Sequence, residues 1–276
     1  MHIHAGDVQA SAAGIMRATE SLAMTTTSRI EWTEQTWNPI VGCTKISAGC
    51  KHCYAETMAR RLQAMGTRGY ENGFALRLIE LRLNDPLKRK KPTIYFVNSM
   101  SDLFHEKVPV EYIDRVMAVI AQTPWHSYQI LTKRAARMAK YFKTRSVPQN
   151  VWLGVSVENR RHGVPRIDHL RTVDAKIRFL SVEPLLEDVG ELDLQDIHWV
   201  IVGGESGPKA RPMKPEWADA VRVQCEEQRV AFFFKQWGGW GADGKRRAKA
   251  KNGRLLHGRT WDEMPIQGEI PAQAMM

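Results

Sequence analysis

No stretch of about 18 consecutive apolar residues occurs anywhere in the chain, so no membrane-spanning helix is expected. The opening segment MHIHAGDVQASAAGIMRATESLA lacks the apolar core of a secretory signal, and the expectation is a cytoplasmic protein with no membrane partner. Cysteine is scarce. Four cysteines in 276 residues exclude a disulfide-built scaffold, and three of them, Cys43, Cys50 and Cys53, fall within eleven residues, a clustering that points to metal ligation or redox chemistry. Glycine-rich phosphate loops are missing as well. No segment has the G-x-G-x-x-G spacing of a dinucleotide loop or the terminal Gly-Lys-Ser/Thr of a P-loop, which argues against nucleoside triphosphate binding.

Acidic residues are in deficit. Thirty Asp and Glu face 40 Lys and Arg, for a formal charge of +10, and the excess is concentrated in Lys88–Lys91 (KRKK) and Lys245–Lys251 (KRRAKAK). Such runs attract polyanions, although neither is interleaved with the aromatics of a base-stacking platform, and a pair of solvated loops that keep the protein soluble accounts for them somewhat better than a nucleic-acid site.

With 43% hydrophobic residues, the chain has enough apolar material for one large domain. Short apolar runs occur at Thr93–Val97, Tyr128–Leu131, Val151–Val155, Ile177–Leu180, Trp199–Val202 and Val230–Phe234, with a first strand expected near Arg29–Trp32. Each run is apolar on both faces, which is the signature of parallel strands covered by helices. Helical stripes lie between them: Ala55, Met58, Ala59, Leu62 and Met65; then Val110, Ile113, Val116, Met117 and Ile120; then Ala135, Met138, Ala139 and Phe142; and Trp217, Val221, Cys225 and Gln228, preceded by Pro215. Cys225 is thereby assigned to the core. The fold class is α/β, a partial or short parallel (β/α) barrel of six or seven units, with an open doubly wound sheet as the competing topology. Residues 1–27 read as a flexible extension, 28–240 as the barrel, and 241–276 as a basic C-terminal extension.

Polar residues follow every apolar run. Asn98, Ser99 and Asp102 come after the second strand, Thr132 and Lys133 after the third, Ser156 and Glu158 after the fourth, and Ser181 and Glu183 after the fifth. Gly203, Gly204, Glu205 and Ser206 follow the sixth, and Lys235 and Gln236 the last. In a parallel barrel these positions share one face, where binding and catalysis are built. Glu158, Glu183 and Glu205 sit so close to buried runs that charged partners are expected for them, from the protein or from a substrate ammonium.

The cysteine motif is C-x6-C-x2-C, placed after the first strand and before the first helix. The two-residue spacing lets Cys50 and Cys53 turn toward one centre, and a helix N-terminus favours the thiolate form that metals need. Three thiolates leave one coordination position of a zinc or a cubane cluster open. Two alternatives stay open here: a zinc-binding nucleic-acid protein with a Cys3His site completed by His52 or His105, and a non-catalytic partner protein.

The segment Ile30–Glu56, with Thr36-Trp37-Asn38-Pro39 ahead of the cysteines, resembles the phage-associated three-cysteine family related to the radical SAM superfamily. The resemblance continues through Phe96–His105, Ser181–Leu185 and Gly203–Gly207 to Trp261-Asp262. It implies bacteriophage and bacterial occurrence and a second, three-Cys-motif partner protein. The superfamily further implies a [4Fe-4S] cluster on Cys43, Cys50 and Cys53, whose fourth iron chelates S-adenosylmethionine for reductive cleavage to a 5′-deoxyadenosyl radical, with the electron donor unspecified. On that basis Glu158, Glu183 and Lys235 are the catalytic candidates. Asn98, Ser99, Asp102, Ser156, Gly203, Gly204, Glu205 and Ser206 are the cofactor-binding candidates, and the substrate class left open is nucleic acid or nucleotide-derived. The first cysteine loop is three residues longer than the superfamily's C-x3-C-x2-C, which costs only about 0.5 kcal/mol by loop-closure scaling. The superfamily's Gly-Gly-Glu after the second strand is Asn98-Ser99 here, and Gly203-Gly204-Glu205 follows a later strand.

Overall fold

Side chains alternate across each strand, so a strand that carries large residues at every position must be packed on both sides. The computed structural model, described over residues 30–265, shows both packings. In chain order the elements are β1 (Gln35–Trp37), β2 (Ile40–Val41), α1 (Tyr54–Ala64), β3 (Arg77–Leu78), α2 (Glu80–Leu83), β4 (Ile94–Val97), α3 (Val110–Ala121), β5 (Ser127–Thr132), α4 (Ala135–Phe142) and β6 (Val151–Ser156). They continue with α5 (Pro165–Arg171), β7 (Ile177–Val182), β8 (Trp199–Gly203), α6 (Pro215–Glu227), β9 (Ala231–Gln236) and α7 (Lys249–Asn252).

Seven strands form one parallel sheet in the order β1-β4-β5-β6-β7-β8-β9, and β2 and β3 pair separately as a small antiparallel ladder. Strands that are neighbours in both sequence and space, all parallel, require every crossover to turn with the same hand, which puts the helices on one face. Tyr95, Val97, Ile130, Leu153, Val155, Leu180 and Val200 fill that outer face with Ile113, Val116, Met138, Ile167, Leu170 and Val221 from α3 to α6. Cys225 of α6 is fully buried there, as its helical spacing predicts.

The other face cannot stay flat, because it is lined by Phe96, Trp152, Phe179, Trp199 and Phe233. The ring of Trp32 lies 4.8 Å from Phe96 of β4 and 6.0 Å from Trp199 of β8. Four strand spacings in a flat sheet would separate those strands by about 19 Å. One indole can touch both only if the sheet curls, so the architecture is an open parallel (β/α) barrel of seven strands.

The sequence placed the first strand at Arg29–Trp32, and the structure corrects this: β1 is Gln35–Trp37, paired in parallel with β4. Arg29 lies outside the described residues, Ile30–Thr33 make a turn closed by Thr33 N–H donating to Ile30 O, and Trp32 serves as an interior plug. Its apolar bulk is used, but from a turn. The expected extension 1–27 likewise lies outside the described residues, apart from which the C-terminal segment is visible to residue 265. That segment returns along the free edge of β9, where Phe234 N–H donates to Trp261 O at 2.9 Å and Phe233 bridges Asp262. Covering an edge in this way removes a row of unpaired backbone groups. Among the described residues no helix is long and apolar enough to cross a membrane.

Candidate active site at the cysteine loop

Along the inner face the chemistry changes from one end of the strands to the other. The aromatic cluster forms a floor, and toward the carboxyl ends the inward positions become Ser156, Ser181, Gly203 and Lys235. The cysteine loop, residues 43–53, lies over this polar mouth. It leaves β2, makes a single 3-10 turn at Ala48–Cys50, and enters α1 with Cys53 in the N-cap position.

Three strand-end loops grip it. After β5, Arg134 donates from Nη1 to Cys43 Sγ (3.4 Å) and from Nη2 to the carbonyl and hydroxyl oxygens of Thr44 (3.1 and 3.0 Å). The same guanidinium is braced by Asp102 (3.1 Å) and Glu106 (2.9 Å). After β6, the fully buried Glu158 pairs with Arg166 at 2.6 Å, and its side chain lies against Gly49, where an added Cβ would stand 3.0 Å from Glu158 Cγ. Burial pushes the Glu158 pKa up, but Lys133, Arg166 and Ser47 together outweigh burial and hold it below its ordinary value. After β8, Arg211 pairs with Glu205 through Nε at 2.9 Å and reaches across to Ala48 O at 3.0 Å.

Most predicted site residues are brought to this one end, with partners the sequence did not identify. The three carboxylates for which partners were expected find them within the chain: Glu158 in Arg166, Glu183 in Lys235 (2.7 Å) and Glu205 in Arg211. Lys235 also stands 5.8 Å over the Trp32 ring, so the Glu183–Lys235 pair rests on the aromatic floor. One carboxylate oxygen of Glu183 is buried with no hydrogen-bond partner among the described residues. Ser156 Oγ accepts from Lys133 Nζ at 2.9 Å, and Ser206 Oγ is held by Gln236 at 2.8 Å.

Several of the cofactor-binding candidates are committed to the scaffold. Asn98 adopts φ 60° and its Oδ1 accepts from Ile40 N–H, tying β4 to β2. Ser99 donates to Asn38 and its carbonyl accepts from the Tyr54 hydroxyl. Asp102 takes hydrogen bonds from Phe104 N–H, Thr132, Lys133 N–H and Arg134. Gly203 lies against the Glu183 side chain, and a Cβ on Gly204 would come within 2.0 Å of Trp237 O, so that glycine serves the close approach of the chain after β9.

The three motif cysteines are free thiols and partly buried. Cys43 faces Arg134 and donates to Thr44 O at 3.5 Å, Cys50 lies 3.8 Å from Ser47 Oγ, and Cys53 packs against the small cluster of Val41, Ala55, Ala59, Tyr70 and Met100. Burial, reinforced by Asp102 and opposed by Arg134, pushes the Cys43 thiol up to about 11. Among the described residues no three His, Cys, Asp or Glu side chains converge as a metal-binding group. The donor set suits a thiophilic centre in kind and in its position on one loop, but in this side-chain arrangement the three sulfurs do not converge, and those of Cys43 and Cys50 are engaged separately, by Arg134 and Ser47. His105 is not available to complete a Cys3His site: its Nδ1 accepts from Lys107 N–H at 3.1 Å and its Nε2 lies 2.9 Å from Thr44 Oγ1. Burial, with Arg134 nearby, lowers its pKa.

The residues that sequence reasoning missed are the arginines Arg134, Arg166 and Arg211. Their only sequence signal is that each lies between two and ten residues past the end of a strand, Arg134 just ahead of α4, Arg166 at the start of α5 and Arg211 in the loop after β8.

Fold and site together define an open parallel (β/α) barrel with a three-cysteine loop clamped across its polar mouth. The chain belongs to the family described as protein of unknown function (DUF5131), whose model matches residues 27–265. No curated protein matches it. Among solved structures it is similar to a cysteine-to-alanine variant of spore photoproduct lyase, with 14% identity, 67% of this chain and 60% of that one covered, and a TM-score of 0.42. Spore photoproduct lyase complexed with dinucleoside spore photoproduct gives 13% identity, coverage of 76% and 65%, and a TM-score of 0.42. A double variant of that lyase with bound AdoMet and dinucleoside spore photoproduct gives 14% identity, coverage of 75% and 64%, and a TM-score of 0.40. The chain thus spans less than two thirds of the length of these structures.

Proposed function

We propose that this protein is an iron–sulfur enzyme of the radical SAM type, in which Cys43, Cys50 and Cys53 would hold a [4Fe-4S] cluster. The observation that carries the reading is the placement of three free thiols on one loop, over the polar mouth of an open barrel, with the last at the N-terminus of an eleven-residue helix. Burial disfavours the anionic form of Cys43, and the Arg134 guanidinium, 3.4 Å from its sulfur, works against that burial. The bound group would supply one electron to S-adenosylmethionine, whose C5′–S bond breaks to give methionine and a 5′-deoxyadenosyl radical.

The chain's own residues would do the rest. Arg134, Arg211 and Glu158 position the cysteine loop. The buried oxygen of Glu183 that has no hydrogen-bond partner among the described residues offers an acceptor to a bound donor, and Lys235, paired with Glu183, and Lys133, held by Ser156, offer cations to an acceptor. The aromatic floor closes the barrel from below and excludes water from the reacting end. A nucleic acid or nucleotide-derived substrate, an unidentified electron donor and a three-Cys-motif partner protein belong to the same proposal, as do a phage setting and a cytoplasmic location.

The test is anaerobic purification followed by iron and sulfide analysis. The reading expects brown protein with about four irons per chain, broad absorbance near 400 nm that bleaches on reduction, and release of 5′-deoxyadenosine from S-adenosylmethionine. Cys50→Ala should lose colour and iron together while Cys225→Ala keeps both. Colourless protein carrying a single zinc would replace this reading with a structural metal site.

A further inference from the structure

The two basic runs are alike in sequence and opposite in position. Lys88–Lys91 ends just ahead of β4, at the amino end of the barrel, and it is largely committed: Lys88 pairs with Asp85 at 2.7 Å, Arg89 donates to Thr93, and Lys90 stands over the Trp125 ring at 5.4 Å. Lys245–Lys251 follows β9 and is pinned to the mouth. Gly239 N–H donates to Glu205 O at 2.8 Å, Trp240 Nε1 to Ala210 O at 2.7 Å, and Arg247 N–H to Gly239 O at 3.1 Å. Trp240 and Arg246 pair antiparallel, Arg246 donates to Pro208 O, and Asn252 closes the segment on Gly238 O at 2.9 Å.

We infer that this hairpin is a phosphate-binding rim that lays a nucleic-acid strand across the mouth of the barrel. The inference deepens the proposed function, since it rests on the mouth being the working end. Charge accounting favours it. The mouth carboxylates Asp102, Glu158, Glu183 and Glu205 are each neutralised by an arginine or lysine of the chain, and Asp243, the one carboxylate in residues 238–253, is held by Arg247. Lys209, Lys245 and Lys251 are exposed and have no ion pair among the described residues, so the rim keeps a surplus of positive charge. Polyanions are drawn to such a surface, and phosphate contacts position a strand without reading its sequence. A lipid surface fits less well, because residues 242–251 expose only Ala, Gly, Asp, Lys and Arg and offer no large apolar side chain to bury in a bilayer interface.

The experiment is fluorescence anisotropy of the full chain with labelled 20-nucleotide single-stranded DNA and with RNA of the same sequence, titrated between 50 and 200 mM salt. Three lost phosphate contacts at about 0.7 per contact should flatten the log–log salt slope of the Lys209→Ala/Lys245→Ala/Lys251→Ala variant by about 2. The wild-type advantage over that variant should accordingly shrink on the order of 20-fold across the range. Lys90→Ala/Lys91→Ala, at the other end, should bind as wild type. Preference for DNA or for RNA identifies the source of the strand, and either result supports the rim. Equal losses in both variants, the absence of salt-dependent binding, or binding to phosphatidylglycerol vesicles in place of both nucleic acids overturns it. The measurement needs no cluster: colourless protein that still binds leaves the rim standing, and brown protein that binds nothing leaves the iron–sulfur reading standing.

Discussion

Arg134 Nη1 stands 3.4 Å from the sulfur of Cys43 and 3.1 Å from Asp102 Oδ2, so one guanidinium joins a proposed cluster ligand to a buried carboxylate. The fork fixes direction as well as charge, because Nη2 and Nε are occupied by Thr44 and Glu106.

Hydrogen bonds to cluster sulfurs raise the reduction potential. In reconstituted protein, Arg134→Gln is expected to lower the midpoint by roughly 65–130 mV, the one-electron equivalent of losing one hydrogen bond to a charged group of about 1.5–3 kcal/mol. Arg134→Lys, which keeps the charge without the fork, should recover part of the shift. Potentiometric titration followed by electron paramagnetic resonance reads this directly, and an unshifted midpoint in both variants would remove Arg134 from the ligand environment.

Arg211 holds the cysteine loop at Ala48 O from the far side of the mouth. Arg211→Ala should accelerate amide exchange in residues 44–51 by about 10-fold or more, the equivalent of a lost hydrogen bond to a charged group, with little change in the helices of the outer layer. Hydrogen-exchange mass spectrometry checks it, and a uniform rise across the chain would show a global effect instead of a local clamp.

Glu158 has a pKa held below its ordinary value by Lys133, Arg166 and Ser47 against the opposing effect of burial. A carboxylate whose folded pKa is depressed contributes stability that is fully present above the unfolded pKa, about 4.3, and is lost as the pH falls through the folded value. Glu158→Gln should therefore flatten the acid side of the stability profile below about pH 5, where the unfolded carboxylate begins to take up its proton. Arg166→Leu leaves the buried charge uncompensated and should cost roughly 3–5 kcal/mol near neutrality. Urea unfolding at a series of pH values measures both; an identical acid slope in Glu158→Gln and wild type would contradict the assignment.

Trp32 joins β4 to β8 across the inside of the barrel. Trp32→Ala empties the floor and should destabilise by about 3–5 kcal/mol. A loss below about 1 kcal/mol, measured by denaturant unfolding, would mean that the floor is held by the strands alone.

Much of the scaffold was readable from local pattern. The six apolar runs became β4 to β9 within one or two residues of their bounds, and the four helical stripes became α1, α3, α4 and α6. What failed did so for identifiable reasons. The helix α5, seven residues long, and the two-residue strands β2 and β3 are too short to establish a period. The first strand was misplaced because Trp32 satisfies the apolar demand from within a turn, whereas Gln35-Thr36-Trp37 forms a strand by pairing with β4.

The sequence by itself determined that the strands are buried on both faces, that polar groups gather where they end, and that three cysteines lie between the first strand and the first helix. These are consequences of side-chain periodicity over a few residues. Only the tertiary structure decided that Arg134, Arg166 and Arg211 neutralise Asp102, Glu158 and Glu205, that His105 is spent on Thr44, and that one basic run lies at the mouth while its twin lies at the opposite end. The reason is geometric: curling brings strand-end loops together across the barrel axis regardless of their separation along the chain, and no local pattern encodes which of them meet.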